Sequence, residues 1–191
     1  SHSGRVPLRW ILAICFALGL ALPVQAQTDP TAPPPGAILF VNQERLLVDS
    51  TLGRAILSLE SEERAVLTAE GERIAAELSA EESALTELRK TATPEDFRVR
   101  AEAFNQRVER VRAEQLDKDR AQTQRNEDRR RAFYATAAQI LGDIMVQSRA
   151  SAIMDRRSVL LYNTSLDITD LAVSRLDAAY AADPALLPTD P

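Results

Sequence analysis

The chain has 191 residues, which suggests a single domain, and a formal net charge of −5. Its one Cys and one His, Cys15 and His2, both lie before residue 27. The remainder therefore lacks the usual soft-metal ligands and nucleophile–base pairs. Neighbouring carboxylates such as Glu62 and Glu63 point to different sides of a helix, so we predict no catalytic site, no metal site and no cofactor.

Residues 1–26 have the pattern of a cleaved secretory signal peptide. Arg5 and Arg9 form a basic region, residues 10–22 an apolar core, and residues 24–26 a small-residue cleavage site. The apolar run is 13 residues long, which is short of the roughly 20 that span a bilayer, so a membrane anchor is disfavoured. Cleavage leaves 21 basic against 28 acidic residues, a charge of −7.

The next segments are short. Residues 27–36 are rich in proline and predict an extended linker. Five apolar residues within 37–42 predict a strand that is buried on both faces. Residues 43–48 fit one or two helical turns with their two leucines turned inward. Ser50 or Thr51 is expected to cap the first long helix.

Residues 54–149, here called the arm, predict two long helices because Ala, Leu, Glu, Arg and Gln predominate. The break between the helices lies at 91–96, the tip. There Thr93 can cap the second helix, Pro94 fits its first turn, and Asp96 completes a capping box. The arm is therefore predicted to be a helical hairpin.

Apolar residues in both predicted helices recur at heptad spacing and form one seam. In the first helix they are Leu57, Leu67, Ile74, Leu78, Leu85 and Leu88, and in the second Phe97, Ala101, Phe104, Val108 and Val111. Arg64, Gly71 and Glu81 interrupt the seam. The second helix also extends nearly 20 residues past the start of the first, so this sparse, unmatched surface favours oligomerisation.

After residue 149 the period of the pattern changes. Residues 151–155 and 158–162 predict a β-hairpin. Asp167 can cap a last helix at 168–181, and the proline-containing segment 182–191 is expected to be loose.

The predicted fold is α+β and mostly α. A long antiparallel helical hairpin, the arm, is inserted in a small β-strand body of residues 37–53 and 150–181. The body is expected to mediate self-assembly through apolar and aromatic residues. These are Ile38, Phe40, Val41, Ile153, Leu160, Tyr162, Ile168 and Leu171.

This order of elements resembles the Skp/OmpH family of periplasmic chaperones over roughly residues 37–180. The local matches are Ile38-Leu-Phe-Val-Asn42 with Gln43 after it, Asn126-Glu-Asp-Arg129, and Leu161-Tyr-Asn163 followed by Asp167-Ile-Thr-Asp170. The resemblance implies a homotrimer with a small β-barrel-like body, whose paired helices surround a cavity. It also implies an ATP-independent periplasmic holdase for unfolded outer-membrane proteins. The chain has no Gly-rich phosphate loop ending in Gly-Lys-Ser/Thr.

The charge of the chain departs from that family. Well-known members are strongly basic, whereas residues 81–102 around the tip hold six acidic and four basic residues. Contact through the apolar seam is therefore the expected way of holding a client. The candidate residues are Leu78, Leu85, Leu88, Phe97 and Phe104, for which the other interpretation is packing between the two helices.

Two polar groups have two interpretations each. Arg125, Arg129, Arg130 and Arg131 form either a solvated helix face or an anion or lipid head-group site. The acidic balance argues against nucleic acid. Tyr162 with Asn163 is either a packed strand end, where Asn163 turns the chain, or a polar site.

Two function classes follow from the sequence. One is a chaperone that binds unfolded β-barrel proteins promiscuously. The other is a structural or adaptor coiled-coil protein of the cell envelope, which binds one folded partner.

Overall fold

The structure is a computed structural model that describes residues 33–188. The predicted signal peptide, most of the predicted linker and the last three residues of the predicted tail lie outside this range. Between residues 33 and 188, no helix has both the length and the apolar character needed to cross a membrane.

The described chain is mostly helical, with two short strands. In chain order the elements are β1 (Ile38–Val41), α1 (Gln43–Asp49), α2 (Thr51–Leu88), α3 (Pro94–Gln147), β2 (Ala152–Asp155) and α4 (Thr169–Ala182). Short 3-10 turns lie between β2 and α4, at Arg156–Ser158 and Thr164–Leu166, and after α4, at Pro184–Leu186. The prediction of an α+β fold that is mostly α is confirmed.

Both long helices begin where the sequence predicts a cap. The Ser50 hydroxyl accepts the Gly53 N–H at 3.1 Å, and the Thr93 hydroxyl accepts the Asp96 N–H at 3.2 Å. Each cap satisfies a backbone donor that has no partner within its helix. The Thr93 hydroxyl also donates to the Asp96 carboxylate at 2.7 Å. This side-chain contact replaces the second, backbone contact of a capping box.

β1 and β2 are parallel neighbours, with Leu39 opposite Ile153. Parallel strands need a long crossover connection, and α1, α2 and α3 together supply it. The other edge of β1 meets the start of the last helix, since the Ile168 N–H donates to the Phe40 carbonyl at 2.8 Å. β1 is thus the central strand of the body.

The β-hairpin predicted for 151–162 is wrong. Residues 152–155 do form a strand, but it pairs with β1 and not with 158–162. The Asp155 carboxylate accepts the Arg157 N–H at 2.8 Å and starts a 3-10 turn instead of a hairpin turn. Leu160 and Leu161, which follow it, are 95% and 87% exposed. The apolar composition of residues 158–162 is typical of a strand, but it does not determine which strand such a segment would pair with.

The apolar core lies where the body meets the base of the arm. Its buried residues are Leu39, Phe40, Val41, Leu46, Leu47, Leu52, Ile56, Phe133, Ala137, Ile144, Ile168, Ala172 and Leu176. The inward orientation predicted for Leu46 and Leu47 is confirmed. The end of α3 that extends past α2 packs in this core together with α4. Its cover therefore comes from the same chain, so this end of α3 does not favour oligomerisation in the way that the sequence suggested.

Candidate functional site

The two helices of the arm run antiparallel and are joined by ion pairs along their length. Arg107 contacts Glu77 at 3.1 Å and also Glu81, and Lys118 contacts Glu70. In these pairs the partners lie at nearly equal sequence distances from the tip. The helices are therefore held together by charges as well as by apolar side chains of the predicted seam.

The five residues predicted to contact clients are all half-buried along the arm. The structure brings Leu78 together with Phe104, and Leu85 together with Leu88, in two separate grooves. Phe97 lines neither groove, and the Arg89 guanidinium lies 5.8 Å from the centre of its ring. Packing between the helices thus covers only part of each side chain, and the client-binding role stays a prediction.

The larger groove, here called the Phe104 groove, has a volume of about 550 Å³ and is open to solvent. Its apolar lining is Ala75, Leu78, Phe104 and Val108, and its polar lining is Ser79, Glu82, Asn105, Glu109 and Arg112. An apolar floor with a polar rim can receive an apolar side chain from a chain that remains solvated.

The smaller groove, here called the Leu85 groove, has a volume of about 340 Å³. It is lined by Glu81, Ala84, Leu85, Leu88, Arg100 and Ala103. The two grooves share no residue, so the arm offers two independent apolar surfaces near its tip.

Two arginine–glutamate pairs hold the base of the arm. The guanidinium of Arg129, a residue that is 2% exposed, contacts both Glu63 carboxylate oxygens, one of them at 2.9 Å, and the Asn126 amide oxygen at 3.1 Å. Arg130 donates to both Glu60 oxygens, at 3.1 and 2.7 Å. The hydrogen bond to Glu60 raises the pKa of Arg130 above its ordinary value. Paired donors of this kind fix side-chain geometry as well as charge.

These contacts correct the solvated-face interpretation of the arginine cluster. It holds for Arg131, which is exposed and pairs with Asp128, but it is wrong for Arg129. Arg125 lies 3.9 Å from Glu63. Because the cluster is already held by carboxylates, it does not support an anion or lipid head-group site.

Glu60 and Glu63 were not predicted from the sequence as partners of these arginines. The positions of these two glutamates in the sequence could have predicted the pairing. When the sequence is folded back at the tip, Glu63 falls near Arg129 and Glu60 near Arg130, a pairing that the solvated-face interpretation did not consider.

The residues predicted to mediate self-assembly lie in three environments. Phe40, Val41 and Ile168 are buried in the chain's own core, Ile153 and Tyr162 are half-buried, and Ile38, Leu160 and Leu171 are exposed. The three buried residues are not accessible to a second copy unless the body opens, whereas the exposed and half-buried ones are at least partly accessible. Their role in self-assembly stays a prediction.

Tyr162 and Asp167 belong to a polar network at the centre of the body. The Asp167 carboxylate accepts the Tyr162 hydroxyl at 3.0 Å and the Thr169 N–H and hydroxyl at 2.9 and 2.5 Å. Arg156 contacts it at 3.5 Å. The Tyr162 ring packs against Phe40, with ring centres 4.9 Å apart. The network supports the interpretation of Tyr162 as a packing residue, although no strand ends there.

The charge of Asp167 is stabilised by this network. Burial raises the pKa of its carboxyl group, but hydrogen bonds from Thr169, Tyr162 and Arg156 outweigh burial and hold the pKa below the ordinary value. α4 begins at Thr169, so Asp167 binds the first helical N–H from just before the helix. The predicted turn at Asn163 is confirmed, since its amide oxygen accepts the Ser165 N–H at 3.0 Å.

In the part of the chain that the structure describes, no group of three or more His, Cys, Asp or Glu side chains is placed to hold a metal ion. The candidate site consists of the two grooves and of the ion pairs that position the helices around them.

Comparisons with known proteins agree with this architecture. A protein-family model described as "Outer membrane protein (OmpH-like)" matches residues 37–176. The chain also resembles a crystal structure from Caulobacter crescentus CB15 that is described as a candidate outer membrane chaperone (OmpH-like). The TM-score is 0.52 at 23% identity, over 78% of this chain and 88% of the other. At that identity the likeness concerns the fold. A search of curated proteins gave no match.

Proposed function

The chain belongs to the OmpH-like outer membrane protein family, and we propose that it is an ATP-independent holdase of the periplasm. In this role it binds unfolded outer-membrane β-barrel proteins and prevents their aggregation without catalysing a reaction. The chaperone description of the structural relative supports this role, and the signal-peptide pattern of residues 1–26 supports the compartment.

The observation that carries the proposal is the pair of open, apolar-floored grooves on the arm. Unfolded clients share no common shape, so a holdase gains from several weak apolar contacts more than from one enclosed pocket. Leu78 and Phe104 in one groove, and Leu85 and Leu88 in the other, are half-exposed in a way that suits such contacts.

Self-assembly into a homotrimer through the body is part of the same proposal. Leu160 and Leu161 are almost fully exposed, although their segment has the composition of a strand. An exposed apolar segment of this kind marks an interaction surface, and a second copy of the chain would cover it. A trimer would also place several arms around one client.

An aggregation assay tests the proposal. A urea-unfolded outer-membrane β-barrel protein is diluted into the purified chain without nucleotide, and aggregation is followed by light scattering. Suppression is expected near one oligomer per client. The double variant Leu78→Ala/Phe104→Ala should suppress aggregation less well, because the apolar floor of the Phe104 groove is lost.

The matched control is Val66→Ala/Val99→Ala. It also removes one apolar side chain from each long helix, but Val66 and Val99 are exposed and line neither groove. Far-UV circular dichroism confirms that both variants keep their helices. If the unmodified chain leaves scattering unchanged, the holdase proposal fails. The adaptor function then takes its place, and a pull-down for one folded partner tests it.

A further inference from the structure

We propose that the Phe104 groove selects client segments in which an apolar side chain lies beside a lysine or arginine. This inference rests on the proposed holdase function and deepens it, since it names the class of segment that the groove takes. The apolar side chain would pack on Leu78, Phe104 and Val108, which form the floor.

The rim of this groove carries an uncompensated negative charge at Glu82. The Glu82 backbone carbonyl accepts a hydrogen bond from Thr86, but its carboxylate has no hydrogen-bond or ion-pair partner among residues 33–188. The side chain is exposed at the mouth of the groove, so its charge is available to a ligand.

The remaining charges of the rim do not neutralise Glu82. Glu109 pairs with Arg112 at 2.9 Å on the same helix, and both side chains are 72% exposed. That pair contributes one negative and one positive charge, so the rim as a whole stays negative. A cation placed beside a bound apolar side chain would find the Glu82 carboxylate as a partner.

Most of the other carboxylates of α2 are compensated by basic residues. The helix carries nine acidic residues and three basic ones. α3 pairs with Glu60, Glu63, Glu70, Glu77 and Glu81. Glu82 is outside that set. Its carboxylate, unpaired in the described part of the chain, therefore attracts cationic segments to the groove and disfavours acidic ones, which would bring like charges together at the rim.

The experiment compares two unstructured, fluorescently labelled peptides of equal length that carry the same Phe residues. In one peptide each Phe is flanked by Lys, and in the other by Glu. Fluorescence anisotropy with the purified chain should give an affinity about two- to fivefold higher for the Lys-flanked peptide, the range expected for one exposed ion pair. High salt should reduce this difference.

Two variants locate the effect. Glu82→Gln keeps the floor and should abolish most of the preference. Glu72→Gln removes an exposed carboxylate of the same helix that does not line the groove, and it should keep the preference. Equal affinities for the two peptides, or equal effects of the two variants, would overturn the inference.

The failure of this inference is distinguishable from that of the proposed function. If neither peptide binds while aggregation of the barrel protein is still suppressed, the inference fails and the holdase proposal stands. If neither peptide binds and aggregation is also unchanged, both fail.

Discussion

The Tyr162 hydroxyl donates a hydrogen bond to the Asp167 carboxylate over 3.0 Å. Asp167 also receives the N–H and hydroxyl of Thr169, whose hydroxyl oxygen accepts the Asn42 N–H at 2.9 Å. One carboxylate therefore connects the segment after β2, the start of α4 and the end of β1. Tyr162, Asp167 and Thr169 thus form one hydrogen-bonded unit.

Asp167 should make the stability of the body sensitive to acid. Its pKa is lower in the folded chain than the value of about 3.9 for an unfolded one. Its contribution is therefore fully present above that pH and is lost as the pH falls through the folded-state pKa. We expect Asp167→Asn to cost about 1–2 kcal/mol at pH 7 and to flatten the acid limb of the stability curve.

Urea unfolding followed by circular dichroism, repeated from pH 7 to pH values below about 4, measures this effect. The curves of the two proteins should converge at the acid end, where the native carboxyl group is also protonated. Parallel curves across the whole range would assign the acid sensitivity to other groups.

Arg129 should be the most important charged residue for the stability of the arm's base. It is buried and holds Glu63 through two contacts, so Arg129→Ala leaves a partly buried carboxylate without its main partner. We expect a loss of about 3 kcal/mol. Arg131→Ala, two residues along the same helix, removes an exposed pair with Asp128 and should cost less than about 0.5 kcal/mol. Equal losses of stability in the two variants, measured by urea unfolding, would contradict a special role of the Arg129–Glu63 pair.

Local features were predictable from the sequence because their causes are local. Ser50, Thr93 and Pro94 fix helix starts through contacts within one turn, and the structure places both starts accordingly. Pairings between distant segments were less predictable. Leu39 and Ile153 pair although more than a hundred residues separate them in the sequence. The apolar pattern of 158–162 predicted a strand equally well. The grooves could not be predicted from the sequence either, because they depend on the distance between the two helices.

Leu160 offers a direct test of self-assembly through the body. Its side chain is 95% exposed, so Leu160→Asp should leave the fold of a single chain unchanged. In an assembly that buries this leucine, the substitution should weaken association by about tenfold or more. Light scattering on a sizing column should show a trimer for the unmodified chain and smaller species for the variant. Val66→Asp, an exposed position on the arm, is the control. A monomeric mass for the unmodified chain would contradict the trimer proposal.

Two glycines of α2 should respond in opposite ways to the same substitution. A Cβ added at Gly53 would collide with the Leu47 carbonyl oxygen, because α1 and α2 approach each other there through backbone. A Cβ at Gly71 meets nothing within 4 Å. Gly53→Ala should therefore destabilise the chain by about 3 kcal/mol. Gly71→Ala should stabilise it by about 0.5–1 kcal/mol, because alanine favours a helix interior more than glycine does. Urea unfolding of both variants measures the difference. A stabilised Gly53→Ala would mean that α1 does not rest on the first turn of α2, and a destabilised Gly71→Ala would mean that another chain packs closely on the arm at that point.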